Sequence, residues 1–238
     1  GSNITFFDLS QNVDEITYSS VVSPIPNSFT GDFGIDSENS VWYTSWVPEN
    51  SGLLLKFNLE KYKRDSNFAE SESIPISLGE YFNIYDFPED LNTPNGLSID
   101  ENDNVWIVDT SSSFFFKFNP DDQTFTKFVT STPQKSTFGN ATGLIKSPIS
   151  RPYWSQTDMN GNLFFNEQTS NQLAVFDIDN EYLVEYMVPS KNPNWADCED
   201  KSNSNCGVAQ IFGFDAIDGA IWFTEWAENK IGVVDTKK

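Results

Sequence analysis

One pattern is written four times in this chain. It reads apolar residues, Asp, a polar turn, then an apolar-aromatic run ending in a polar residue. The copies are Phe33–Trp46, Leu97–Thr110, Trp154–Glu167 and Phe212–Trp226. Asp36, Asp100, Asp158 and Asp215 mark the turns, and Trp42, Trp106, Phe164 and Trp222 mark the following run; both series recur about every 60 residues. Self-similarity at a fixed period specifies a repeat architecture, because one such unit cannot bury its apolar face alone.

The runs are built of Phe, Tyr, Trp, Val and Ile, and Asp with Asn, Gly or Ser between two such runs is a hairpin signal. Third strands follow at Leu53–Glu60, Phe114–Pro120, Leu173–Asp179 and Lys230–Thr236. Fourth strands are expected at Glu80–Phe87, Gln123–Val129 and Glu181–Val188. No segment keeps apolar residues at helical spacing for two turns. Four antiparallel strands per repeat is the unit of a β-propeller. The sequence therefore predicts an all-β propeller domain over 1–238, with four to five blades and repeats near 27–88, 93–130, 150–190 and 208–236. Residues 3–20 carry a third-strand-like run, Ile4–Leu9, and a fourth-strand-like run, Val13–Tyr18. They are expected to close the ring by completing the last blade, which has no fourth strand of its own, or to form a partial blade of a larger ring that other blades or a second chain complete. Gly1-Ser2 reads as a cloning scar.

Thirty-five Asp and Glu stand against 14 Lys and Arg, for a net charge of −21 at pH 7. Phosphate backbones would repel such a surface, which excludes general nucleic-acid binding. Nothing approaches the run of roughly 18 apolar residues that a membrane span needs. Cys198 and Cys206 lie in a short polar loop and are expected to pair, which implies an extracytoplasmic, secreted or cell-surface setting. Zinc is disfavoured because the chain contains no histidine and no further cysteine.

The run Gly219–Thr236 resembles a repeat of the virginiamycin B lyase (streptogramin lyase) family of β-propellers, through Trp222, Phe223, Thr224, Glu225, Asn229, Lys230, Ile231, Gly232 and Asp235. Thr93–Thr110 is similar to the start of the same repeat, and Glu185–Pro189 to its end. The resemblance implies a propeller and a possible metal-assisted elimination in which a histidine is the base. Where that family writes Pro-His-Gly, this chain has Pro94-Asn95-Gly96; the other copies offer Arg151-Pro152-Tyr153 and Gln210-Ile211-Phe212. Without an imidazole the usual base is missing, so no catalytic residue is assigned.

Candidate ligand-binding residues are of two kinds. Glu167 and Glu225 follow the Trp-type strand in matching positions, where Asp109 and Ser45 stand in the other copies. If those strands end at one mouth of the channel, their carboxylates could ring it and hold Ca²⁺ or Mg²⁺, although they could equally cap turns. The Asp100 and Asp158 turns begin like calcium loops but lack the closing glutamate, having Ser111 and Thr169 there. Tyr153, Trp154 and Trp195 lie in or beside the long loops, where loops on a rigid scaffold carry function, and suit sugar rings or a peptide. Asn95 joins them through the motif above. Two functions follow: a non-catalytic extracytoplasmic module that binds a protein or carbohydrate, or a metal-assisted lyase or lactone hydrolase of the streptogramin lyase to gluconolactonase type that works with carboxylates alone.

Overall fold

The computed structural model describes residues 3–7, 12, 14, 18–25, 27–47, 52–65, 78–140, 148–202, 205–217 and 219–236. They form a β-propeller of antiparallel sheets whose strands follow one another in chain order. The first blade comprises β3 (Phe33–Ile35), β4 (Val41–Ser45), β5 (Leu53–Phe57) and β6 (Phe82–Asp86). The second comprises β7 (Pro94–Ile99), β8 (Val105–Asp109), β9 (Phe114–Asn119) and β10 (Thr124–Val129). The third comprises β11 (Pro152–Thr157), β12 (Asn162–Glu167), β13 (Gln172–Asp177) and β14 (Tyr182–Met187). The fourth has three strands, β15 (Ile211–Ile217), β16 (Ala220–Glu225) and β17 (Lys230–Asp235).

The N-terminal pair does not complete the last blade. Strand β1 (Asn3–Phe7) pairs with β2 (Tyr18–Val22) in a sheet of their own. Ile4 and Phe6 pack instead on the first blade, beside Tyr43, Leu55, Phe57 and Phe82. The second N-terminal strand also falls later than expected; Val13 and residues 15–17 lie outside the described residues. One short helix, α1 (Leu59–Asp65), opens the excursion after β5 and has no buried residue, and α2 (Lys135–Phe138) is a single turn. Among the described residues no helix is long and apolar enough to cross a membrane.

The core is a series of wedges between neighbouring blades. Trp42 packs into the second blade with Val105, Ile107 and Phe118, its ring 5.8 Å from that of Phe118. Trp106 packs into the third with Leu163 and Phe165, 5.6 Å from Phe176. Phe164 packs into the fourth with Ile221 and Phe223. Aromatic side chains suit these gaps because each buries a large area. Trp222, the fourth member of the series, departs from the expectation of burial: it is 52% exposed, since no described blade lies beyond it.

A buried tryptophan needs an acceptor for its indole N–H, and the turn aspartate six residues earlier supplies one. Trp42 Nε1 donates to Asp36 Oδ2 and Trp106 Nε1 to Asp100 Oδ2, each at 2.9 Å. The other oxygen of the same carboxylate holds the turn: Asp36 Oδ1 accepts from the amides of Glu38 (3.0 Å) and Ser40 (2.7 Å), and Asp100 Oδ1 from those of Asn102 (3.0 Å) and Asn104 (2.9 Å). Asp158 grips its turn in the same way, through Asn160 and Asn162. The fourth copy differs. Asp215 is no turn residue; it lies within β15 opposite Trp222 and accepts from Gln156 Nε2 at 3.0 Å. There the hairpin closes more tightly, with Ile217 facing Ala220, and the longer β15 takes Asp215 into the ladder and off the turn.

The inner strands approach closely around the axis. A Cβ on Gly96 would sit 2.8 Å from the Ser155 amide, and one on Gly31 2.3 Å from the Asn95 carbonyl, distances that no larger residue tolerates. Each of the first three blades also donates a side chain to the carbonyl that begins the next inner strand: Thr44 Oγ1 to Pro94 O (3.3 Å), Thr110 Oγ1 to Pro152 O (2.8 Å) and Asn166 Nδ2 to Ile211 O (2.7 Å).

Replacing Asp100 by alanine removes the turn clamp and strands the Trp106 indole. Hydrogen bonds to charged groups are worth roughly 1.5–3 kcal/mol each, and stranding a buried donor adds to the loss. Asp100→Ala should therefore lower unfolding free energy by about 3 kcal/mol, and Asp158→Ala, which has no indole to strand, by less; urea denaturation of the two variants measures the difference.

Candidate functional site

The starts of the inner strands and the ends of the second strands share one end of the sheets. Pro94 faces Asp109, Pro152 faces Glu167 and Ile211 faces Glu225. This register makes Asn95, Tyr153 and Phe212 equivalent positions, one residue later in the third and fourth copies than the motif comparison suggests. A register shift follows in each inner strand, between Pro94 and Gly96, Pro152 and Ser155, and Ile211 and Phe214. Bulges of this kind re-aim side chains.

Two of these positions begin a continuous aromatic row. The Tyr153 and Phe212 rings stand 5.3 Å apart, Phe212 is 6.3 Å from Trp226, and Trp226 is 5.1 Å from Trp195. Phe212 is 50% and Trp226 62% exposed. Trp226 directly follows Glu225, at the position that Trp46 holds after Ser45 in the first blade. Neither Phe212 nor Trp226 is singled out by the sequence, although their alignment with Tyr153 and Trp46 is the signal that could have found them.

Trp195 arrives from the long loop after β14, in a single 3₁₀ turn, Pro193–Trp195, capped by Asn192. The Cys198–Cys206 disulfide, expected from the sequence, closes this loop, with Cα atoms 5.9 Å apart. Both cysteines are buried with Phe138 and Ala196. The loop is tied to the α2 segment by backbone bonds from Asp197 to Phe138 (3.0 Å) and from Gly207 to Thr137 (2.9 Å), and to the fourth blade by Asn192 Nδ2 donating to Ala227 O (3.3 Å). The position of Trp195 is thus held from three sides.

The other candidates have different surroundings. Asn95 Nδ2 donates to Thr110 Oγ1 at 2.9 Å within the second blade, and that hydroxyl in turn donates to Pro152 O of the third. Trp154 is partly exposed and makes no ring contact among the described residues; its amide donates to Asn166 Oδ1 at 2.7 Å. Among the described residues, no three His, Cys, Asp or Glu side chains are grouped so that they could hold a metal ion. Asp109 serves its own turn: its Oδ1 accepts from the Thr93 amide (2.8 Å) and from the amide and hydroxyl of Ser111 (3.1 and 2.8 Å), while Oδ2 is buried without a partner. Glu225 is buried with Oε2 unpaired.

Glu167 is the most unusual of the set. It is fully buried and neither carboxylate oxygen has a hydrogen-bond partner. Burial pushes its carboxyl well above the ordinary value of 4.5, and the nearby Glu185 carboxylate pushes in the same direction; the Ser170 hydroxyl, close by but outside hydrogen-bonding geometry, opposes the rise.

Searches against protein-family models and against curated protein sequences find no match. Solved structures do match. A catalytically inactive virginiamycin B lyase from Staphylococcus aureus with quinupristin superposes with a TM-score of 0.62 at 17% identity, over 98% of this chain and 59% of that one. A streptogramin B lyase gives 0.61 at 16% identity, over 100% and 63%. The extracellular domain of a hybrid two-component system from Bacteroides thetaiotaomicron gives 0.51 at 15% identity, over 88% and 22%. At these identities the likeness establishes the fold, that of a divergent streptogramin-lyase-like β-propeller. The chain spans about three fifths of the length of the lyases it matches.

The Glu167 carboxyl makes a signed prediction. Its folded-state pKa is raised, so the stability linked to it is complete below the unfolded value and is lost as pH climbs toward the folded one. Glu167→Gln should change stability little near pH 4 and should gain on the wild type progressively as pH rises toward neutrality. Thermal melts across this range test the sign; a difference that shrinks with pH contradicts it.

Proposed function

We propose that this chain is a non-catalytic, extracytoplasmic propeller module that binds a carbohydrate or a peptide across the row Tyr153–Phe212–Trp226–Trp195. The observation that carries the reading is the exposure of the central pair, Phe212 and Trp226, in a row whose outer member is fixed by a disulfide-closed loop. Aromatic faces left open on a rigid scaffold offer stacking area at low entropic cost. The polar groups Asn192 and Asn194 border the row. The disulfide supports an oxidising compartment, and the extracellular origin of one structural neighbour agrees with it. The absence of histidine from the chain supports a binding role.

A second reading, a lyase or lactone hydrolase that uses carboxylates with Ca²⁺ or Mg²⁺, draws on one observation: Glu167 is a buried carboxyl of raised pKa beside Glu185. The two readings separate in one set of measurements. Arrays of oligosaccharides and peptides supply the ligand, and calorimetry gives its affinity. Trp226→Ala and Trp195→Ala should each weaken binding about tenfold or more, equivalent to about 1.4 kcal/mol, with the circular dichroism spectrum unchanged. Linear product from a cyclic depsipeptide or a lactone in the presence of Mg²⁺, abolished by Glu167→Gln or Glu225→Gln, would overturn the binding reading in favour of catalysis.

A further inference from the structure

The opposite end of the sheets carries a second, independent feature. In the first blade the turn carboxylate Asp36 receives two donors on one oxygen: the Trp42 indole at 2.9 Å and the Lys56 ammonium at 2.8 Å, with that ammonium 5.3 Å from the centre of the Trp42 ring. In the second blade Asp100 receives the Trp106 indole at 2.9 Å, and Lys117 stands 5.9 Å over that ring. Trp42 pairs across the strands with Lys56, and Trp106 with Lys117. Carboxylate, indole and ammonium thus form one repeated device.

The third blade keeps the carboxylate and loses both donors. Phe164 takes the tryptophan position, and the residue paired with it is Val175 in place of lysine. Asp158 Oδ2 keeps only side-chain amides, from Asn160 (3.3 Å) and Asn162 (3.1 Å). The facing blade does not fill the space, because its tight hairpin presents small side chains. A cavity of about 370 Å³ lies between the two blades, bounded by Asp158, Asn160 and Phe164 on one side and by Ala216, Ala220 and Thr236 on the other.

We infer that this cleft binds a small planar aromatic amine, with its ring against Phe164 and its N–H or ammonium group at Asp158. The ligand restores what the first two blades supply from within: a flat ring, an N–H donor for the carboxylate, and a positive charge beside both. An indole-sized molecule is well within the cavity volume, and the net charge of −21 favours accumulation of a cation. The site is distinct from the aromatic rim and does not rest on the function proposed for it.

Tryptamine is the probe, and isothermal calorimetry with ligand-observed NMR is the readout. The wild-type protein should bind it saturably with a Kd on the order of 0.1–1 mM, the range expected of a fragment of this size. Phe164→Trp should abolish binding, because the new indole occupies the cleft and donates to Asp158, and should raise the melting temperature. Asp158→Asn should weaken tryptamine about tenfold while leaving the fold intact, and this variant decides the matter if Phe164→Trp does not fold. Absence of saturable binding up to about 5 mM, or equal affinity in the wild type and Asp158→Asn, would overturn the inference.

Discussion

The hydrogen bond from a buried tryptophan to a turn aspartate is the constraint on which the rest of this structure depends. The wedge between two blades widens away from the axis and calls for a large flat side chain, but an indole buried there would leave its N–H unpaired. Asp36 and Asp100 resolve this from six residues upstream, and the same carboxylates fix the hairpins that set the register of the Trp strands. One side chain therefore couples turn geometry, strand register and blade packing. The backbone amides and the indole or lysine ammonium that surround Asp36 carry its pKa below the ordinary value even though burial, the largest single influence, acts to raise it. That carboxylate consequently favours the folded state above its unfolded pKa and ceases to do so as pH falls through the folded value.

Glu167 has the opposite sign. Asp36 is buried among donors and stays ionised; Glu167 is buried without them, next to another carboxylate, and is driven toward the neutral form. The two residues occupy opposite ends of the sheets. In the first two blades one end is built for stability, with satisfied carboxylates in tight turns. The other collects the features that stability does not require: unpaired carboxylate oxygens, exposed aromatic rings, and a loop closed by a disulfide. Binding sites on repeat scaffolds commonly divide the molecule in this way, because the turns that clamp the sheets leave the opposite loops free to vary.

Departures from the repeat are as informative as the repeat itself. Phe164 and Val175 replace a tryptophan and a lysine together, and the short β15–β16 hairpin moves Asp215 off the turn; both changes meet at the interface of the third and fourth blades, where the cleft opens. At the rim, Asn95, Tyr153 and Phe212 are equivalent in register yet differ in role. Asn95 is held by Thr110 of its own blade, while the Tyr153 and Phe212 rings pack against one another across two blades.

The amino-acid sequence by itself determined the all-β class, the repeat, the blade strands and the Cys198–Cys206 pairing, because alternating aromatics, turn residues and loop length act locally and at a fixed period. It also determined that Asp36 and Asp100 hold turns, since an Asx turn involves only neighbouring residues. Only the tertiary structure decided what depends on contacts between copies. It showed that β1 and β2 pack on the first blade instead of joining β17, that Asp215 lies within a strand, that Glu167 is buried with neither carboxylate oxygen hydrogen-bonded, and that Phe212 and Trp226 join Tyr153 and Trp195 in one row. The period repeats a local pattern, but it does not say how a shorter hairpin loop or a bulge redirects a side chain toward a neighbouring blade. That redirection is settled by packing across some 60 residues of sequence separation, as with Gln156 and Asp215.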